Sequence, residues 1–494
     1  MLTKEKLPGY PEAGEAFEKK DSVISNGQEL KYSAITNEWV FHDKAGEPEA
    51  SAVTYSFILE TQEQSNRPVM FVVEGGPGAS CADMTISMYG PKIYDFEGKE
   101  LIKSKAPYHY KDNDDWILDT CDIVMIDPVG AGFGRIIKEE AKEKFFGHEQ
   151  DNYALALLID AWLVKYGRVN SPKFLNGVSY GGQRCNLLPR YLLGGLSIPG
   201  GITPNITLNG IIQMADVSLI DTNADEAAGE SVPSICADTP DICLSAATFA
   251  AINAYHRPEG KPDPMSFAEQ AYTFGCDILR PLLLKKETTT EEEKRSAAEK
   301  LSYFIGVPAD TILAMNFNLD TFSFCHMLAL ADKGMAVGFY DGRYTLPAGA
   351  MTSPTFDMIA DDGLLCVSWP AVYALASEIY KKEFGISFSD GRFFTNTNFD
   401  AYMSWDWHIA ENTRPVDWQL YNMRHCPNLH LMIVNGLYDS VWGYGYSRFT
   451  YENMGLPKDR TVFKSYRAGH EMYFDEACRH QMAADFREFI QNAI

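Results

Sequence analysis

The chain is expected to fold as an α/β protein, with a mostly parallel central sheet, helices on both faces and a largely helical insertion. Three observations predict this. Nearly continuous apolar runs at residues 69–73, 123–126, 174–178, 208–214 and 429–434 have the length and composition of strands buried on both faces. Apolar segments of helical length, 152–166 and 182–193, flank the third run and supply covering helices. With 494 residues, 46% of them hydrophobic and 22% charged, the chain has the composition of a folded protein with a large core.

Residues 1–27 form an N-terminal extension without the uninterrupted apolar stretch of a signal peptide, so a cytoplasmic, reducing location is expected. The ten cysteines contain no Cys-x-x-Cys pair and are expected as small buried hydrophobes, although the spacing of Cys236 and Cys243 would suit a disulfide after export. The first part of the core is placed at 28–216. It opens with alternating polar and apolar residues around a turn at Asp43-Lys44-Ala45-Gly46, the pattern of an antiparallel hairpin.

From 217 to 427 the strand and helix rhythm gives way to an insertion, or lid, with acidic helices such as 289–300 and an aromatic-rich stretch at 393–421. The run Thr288-Thr289-Thr290-Glu291-Glu292-Glu293 has the chemistry of a helix start, with Thr able to cap and acidic residues favoured in the first turn. The second part of the core, 428–494, resumes with strands at 429–434 and 462–466 and closes on an amphipathic helix at 475–490.

Forty-three basic against 67 acidic residues leave a formal charge of −24, which repels phosphate backbones and anionic lipid; neither nucleic acid nor membrane is an expected partner. The most apolar helical segment is broken by Asp160 and Lys165, so no membrane span is expected. The group His425, Cys426 and His430 lacks further ligands, and no metal is expected.

Chemistry concentrates at Gly177-Val178-Ser179-Tyr180-Gly181, a Gly-x-Ser-x-Gly segment between a predicted strand and a predicted helix. Glycines on either side permit the sharp turn that would lift the Ser179 hydroxyl to a helix N-terminus. A serine hydroxyl needs a base and an orienting acid, in the chain order Ser, Asp, His. Asp439 follows the strand 429–434, and His470 follows the strand 462–466 in a Gly-containing loop. Loops at those strand ends build the site of an open parallel sheet. An oxyanion hole needs bare amides; Gly75 and Gly76 follow the strand 69–73, and the amides of Gly76 and Tyr180 are the expected donors. No Gly-Lys-Ser/Thr follows that loop, so it is not a phosphate loop of that kind.

Five ordered segments resemble the serine carboxypeptidase family (peptidase family S10), in particular its bacterial branch without a signal peptide. They are Glu74-Gly75-Gly76-Pro77-Gly78, residues 127–133 (Asp-Pro-Val-Gly-Ala-Gly-Phe), residues 170–182, residues 436–439 and Ala468-Gly469-His470, with a weaker echo at 340–344. The resemblance implies an α/β-hydrolase fold with a helical insertion over the site. It further implies removal of the last residue of a peptide through an acyl-enzyme, without a cofactor. It makes Glu74, Gly75 and Val178 substrate-binding positions, yet Glu74 stands where the family has Asn, and Val178 where it has the Glu that helps hold the terminal carboxylate. Glu74 would repel a C-terminus when ionised and donate to it when protonated. Arg184 or Arg135 could supply a counter-charge instead. The altered anchor keeps an esterase or acyltransferase open as an alternative, and a non-catalytic binding protein as another. Trp405-Asp406-Trp407-His408 is expected to pack the lid or line a pocket.

Overall fold

The structure is a computed structural model that describes residues 7–102, 105–193, 201–215, 242–285, 288–348, 362–389, 398–407 and 415–494. Eleven strands among these form one sheet: β1 (Glu12–Ala13), β2 (Phe17–Ser25), β3 (Gln28–His42), β4 (Pro48–Leu59), β5 (Val69–Val73), β6 (Asp122–Asp127), β7 (Arg135–Ile136), β8 (Lys173–Val178), β9 (Gly210–Met214), β10 (His430–Gly436) and β11 (Thr461–Tyr466). Their order is β1-β3-β4-β6-β5-β8-β9-β10-β11, with β2 on β3 and β7 on β4. The alternating N-terminal segment pairs antiparallel, and from β6 to β11 every neighbour is parallel.

The continuous apolar runs have a simple cause. Val69, Phe71 and Val73 of β5 face one core and Met70 and Val72 the other, so each position is buried whichever way it points. Leu431 and Ile433 against Met432 and Val434 repeat this in β10. One face is covered by α1 (His148–Lys165) and α2 (Tyr180–Leu193). A helix from the middle of the chain, Leu365–Glu383, and the final helix, Glu476–Asn492, cover the other. A third core gathers around the helix Ile242–His256 and reaches Leu437, Tyr438 and Trp442, beside Asp439.

The predicted helix at 289–300 is Glu291–Ile305, with Thr290 and Glu293 closing a reciprocal capping box. Cys236, and residues 393–397 and 408–414 of the aromatic stretch, lie outside the described residues. Among the described residues no helix is long and apolar enough to cross a membrane.

Parallel register aligns the carboxyl ends of the central strands: Val73 pairs with Gly177, Val178 with Met214, Met214 with Val434, and Gly436 with Tyr466. The segments 74–76, 179–180, 437–439 and 467–470 therefore leave the sheet along one edge. Asp127 ends β6 at the same edge, wholly buried, and its Oδ1 accepts the Cys81 amide at 2.9 Å, tying the 74–80 loop to the 127–133 segment. Burial pushes this carboxyl up to about 7, against the backbone donors that favour its charge. Its folded value lies above its unfolded one, so its contribution to stability is present below about pH 4 and lost as pH rises towards 7, on the order of 4 kcal/mol. Asp127→Asn should accordingly gain thermal stability relative to wild type between pH 4 and pH 8; a pH-independent difference in unfolding midpoint would refute this.

Candidate active site

Ser179 occupies a left-handed conformation, φ 56°, between β8 and α2. That conformation is costly for a residue with a Cβ and is held by its surroundings. The Ser179 amide donates to Met214 O at 3.0 Å, and its carbonyl accepts the Gly182 amide at 2.8 Å. A Cβ at Gly177 would stand 2.0 Å from Gly181 O, and one at Gly181 would stand 2.5 Å from Val73 O, so both flanking glycines are required by packing. The sharp strand-to-helix turn expected from the sequence is the local backbone found here.

His470 and Asp439 meet although 31 residues apart: imidazole Nδ1 lies 2.8 Å from Asp439 Oδ2. Asp439 is fully buried, and its Oδ1 accepts the Val441 and Trp442 amides at 2.8 and 3.1 Å. Those two donors fix the carboxylate and leave Oδ2 for the imidazole. The two loops are stitched together by Leu437 N to Tyr466 O at 2.8 Å and Tyr438 N to Ala468 O at 2.9 Å. The 340–344 segment braces the other side: Tyr340 O accepts the His470 amide at 2.7 Å, and its ring meets the imidazole edge-on at 5.1 Å. Gly469 permits this, since a Cβ there would stand 2.4 Å from Tyr340 O. Nε2 of His470 is buried and has no hydrogen-bond partner among the described residues. With Nδ1 engaged by a carboxylate, Nε2 is the nitrogen available to take a proton.

Gly75 packs directly on the elbow: a Cβ there would lie 2.9 Å from Ser179 Cβ and 3.1 Å from Tyr180 N. Tyr180 is the first residue of α2, so its amide has no intrahelical acceptor. The Tyr180 side chain is pinned, its hydroxyl 2.8 Å from His148 Nδ1 and accepting the Trp405 indole at 2.9 Å. Trp405 is thus lid packing that reaches the elbow; Trp407 stacks edge-on against Tyr180 at 5.8 Å. His408 lies outside the described residues.

Two expected carboxylate partners are placed elsewhere. Arg184 is 1% exposed, with Nε 2.7 Å from Asp151 Oδ2 and Nη1 donating to the Glu74 and Gly75 carbonyls. Its charge is spent behind the loop, because α2 turns this position inward. Val178 is fully buried within β8 and belongs to the core. Arg135 folds onto its own loop, Nη1 donating to Gly132 O at 2.9 Å and Gly134 O at 2.8 Å.

Glu74 has company that no sequence spacing announced. It is 7% exposed with Oε2 unpartnered, and its field is shared with Asp83 and Glu471. Asp83 accepts the Tyr473 hydroxyl, and Glu471 follows His470 directly. Burial, then mutual repulsion, raises Glu74 and Glu471 well above the usual carboxylate range, and burial pushes Asp83 up to about 6 against the Tyr473 hydroxyl. Each of the three therefore holds its proton to higher pH than an ordinary carboxyl group, and the loss of one proton affects the others. Only the adjacency of Glu471 to His470 hinted at the group. Among the described residues no cluster with metal-ligand character is present.

No family model matches the chain, and no curated protein matches it. Among solved structures it is similar to Kex1(delta)p, a prohormone-processing carboxypeptidase from Saccharomyces cerevisiae, with a TM-score of 0.55 and 14% identity over 99% of this chain and 95% of that one. Juvenile hormone epoxide hydrolase from the silkworm Bombyx mori follows with a TM-score of 0.38 and 10% identity over 93% and 79% of the two chains. A soluble variant of monoglyceride lipase from Saccharomyces cerevisiae gives 0.35 and 12% over 90% and 92%. Together with the sheet order and the elbow, the first of these likenesses places the chain in the α/β-hydrolase fold.

Proposed function

We propose that the chain is a serine hydrolase of the carboxypeptidase kind, which cleaves the C-terminal residue from peptides through an acyl-enzyme. The observation that carries this reading is the His470–Asp439 pair at 2.8 Å, with Nε2 unpartnered, on the strand edge where Ser179 stands at its elbow. In this mechanism His470 takes the Ser179 proton as Oγ attacks the scissile carbonyl. The Gly76 and Tyr180 amides receive the oxyanion, and protonated His470 hands its proton to the departing amine. Water then repeats the sequence on the ester, His470 acting as base again, to release the shortened peptide and free Ser179. Asp439 holds the imidazole tautomer throughout. The fold shared with a carboxypeptidase over nearly the full length supports the peptide reading.

In this reading Glu74, Asp83 and Glu471 meet the terminal carboxylate as hydrogen-bond donors while protonated. As pH rises through about 6 Asp83 loses its proton, and carboxylate faces carboxylate. The ratio of free-acid to amidated peptide cleavage should therefore fall from pH 4 to pH 8; taking a ratio cancels whatever pH dependence the two substrates share. Mass-spectrometric profiling of paired peptides gives this ratio and the cleavage position. An amide cleaved as well as the acid at every pH would reject exopeptidase recognition. Since Arg184 is engaged by Asp151 and Val178 is buried, an esterase or acyltransferase is the second reading. Hydrolysis of esters with negligible peptide cleavage would select it.

A further inference from the structure

The proposed oxyanion donors sit on a loop with a buried cation behind it. Arg184 lies one helical turn after Tyr180 on α2, and its guanidinium carbon is 4.8 Å from the centroid of the Tyr180 ring. Nη1 donates to the carbonyls of Glu74 and Gly75, the latter at 3.4 Å, and Nε is held by Asp151 of α1 at 2.7 Å. Burial opposes the guanidinium charge, and Asp151, with Tyr180 and Cys81 beside it, more than offsets this, leaving the group above its ordinary value and charged.

The Gly75 carbonyl and the Gly76 amide belong to one trans peptide, since the cis bond of this loop is the next one, Gly76-Pro77. In a planar trans peptide C=O and N–H point in opposite directions. A donor fixed behind the carbonyl therefore turns the Gly76 N–H away from Arg184. Drawing electron density towards the carbonyl oxygen also makes that N–H a stronger donor. On the other flank Gly181 packs against Val73 O and Glu74 O, so the loop is gripped between the first turn of α2 and the guanidinium.

We propose that Arg184, locked by Asp151, is a positioning residue that aims and polarises the Gly76 amide towards the oxyanion. This rests on the reading of Ser179 as an acylated nucleophile. Arg184 touches no reacting atom; it acts through the Gly75–Gly76 peptide. Lysine would retain the charge but not the fork that reaches Asp151 and two carbonyls together.

The test is inactivation by an alkyl fluorophosphonate, whose phosphoryl oxygen enters the same hole, on wild type, Arg184→Gln, Arg184→Lys and Asp151→Asn. Loss of one oxyanion donor costs about 10²–10³-fold, so kinact of Arg184→Gln should fall by about 10² with KI unchanged. Arg184→Lys and Asp151→Asn should fall between it and wild type. Near-UV circular dichroism identifies the variants that keep native packing. If Arg184→Gln does not fold, Arg184→Lys carries the same comparison. A native-like variant with wild-type kinact overturns the proposal, as does a loss residing in KI. If all four proteins are inert, the nucleophile reading itself fails; reactive wild type with equally reactive variants rejects only the role of Arg184.

Discussion

Ser179→Ala is expected to abolish fluorophosphonate labelling and to lower kcat by about 10⁶-fold, the scale on which loss of a triad nucleophile acts. The side chain to be removed stands at the strand edge, next to the Tyr180 amide, the first of the α2 amides that have no acceptor within the helix. Without Oγ no covalent adduct forms, and only binding and the oxyanion donors remain. The backbone adds a second expectation. At φ 56° the left-handed conformation costs an L-residue roughly 1–2 kcal/mol, and alanine bears it as serine does. Ser179→Gly, equally inactive, should therefore unfold at a higher temperature than Ser179→Ala. Wild-type labelling in the alanine variant would reject Ser179 as nucleophile, and identical midpoints for the two variants would reject the strain.

Asp439→Asn should lower kcat by about 10⁴-fold with little change in KM, the cost of presenting the imidazole in the wrong tautomer. The direction of the amide follows from its neighbours. The position of Oδ1 receives two backbone amides, from Val441 and Trp442, so the carboxamide oxygen must stay there. Its NH₂ is then turned to His470 Nδ1, which can only accept. Nε2 carries the proton in that tautomer and cannot take another from Ser179. Because the buried pocket keeps its shape, folding should change less than activity. A variant with full turnover would reject Asp439 as the orienting acid, and one that fails in KM alone would place it in binding.

The parallel core was legible because doubly buried strands have no polar face. Each of the runs at 69–73, 123–126, 174–178, 208–214 and 429–434 falls on a strand of the central sheet. The Gly-x-Ser-x-Gly turn was legible for an equally local reason, since the two glycines are demanded by contacts within a few residues or with the adjoining strand. Arg184 was misread because the sequence records a charge but not the direction a helix gives it; on α2 it points inward to Asp151 rather than out to a ligand. Asp83 and Glu471 were missed because they come from separate segments that only packing brings beside Glu74. Tyr340 was approached only through a faint motif, and its contact with His470 crosses more than a hundred residues.

By itself the sequence determined the strands, the sharp turn at Ser179 and the order in which serine, acid and histidine arrive, because apolar periodicity and glycine sterics act over short stretches of chain. Tertiary structure alone decided that Asp439 and His470 lie 2.8 Å apart, which carboxyl groups crowd around Glu74 and which cation is consumed behind the loop. Burial and electric field at a point are sums over everything packed there, and no single stretch of chain contains those sums.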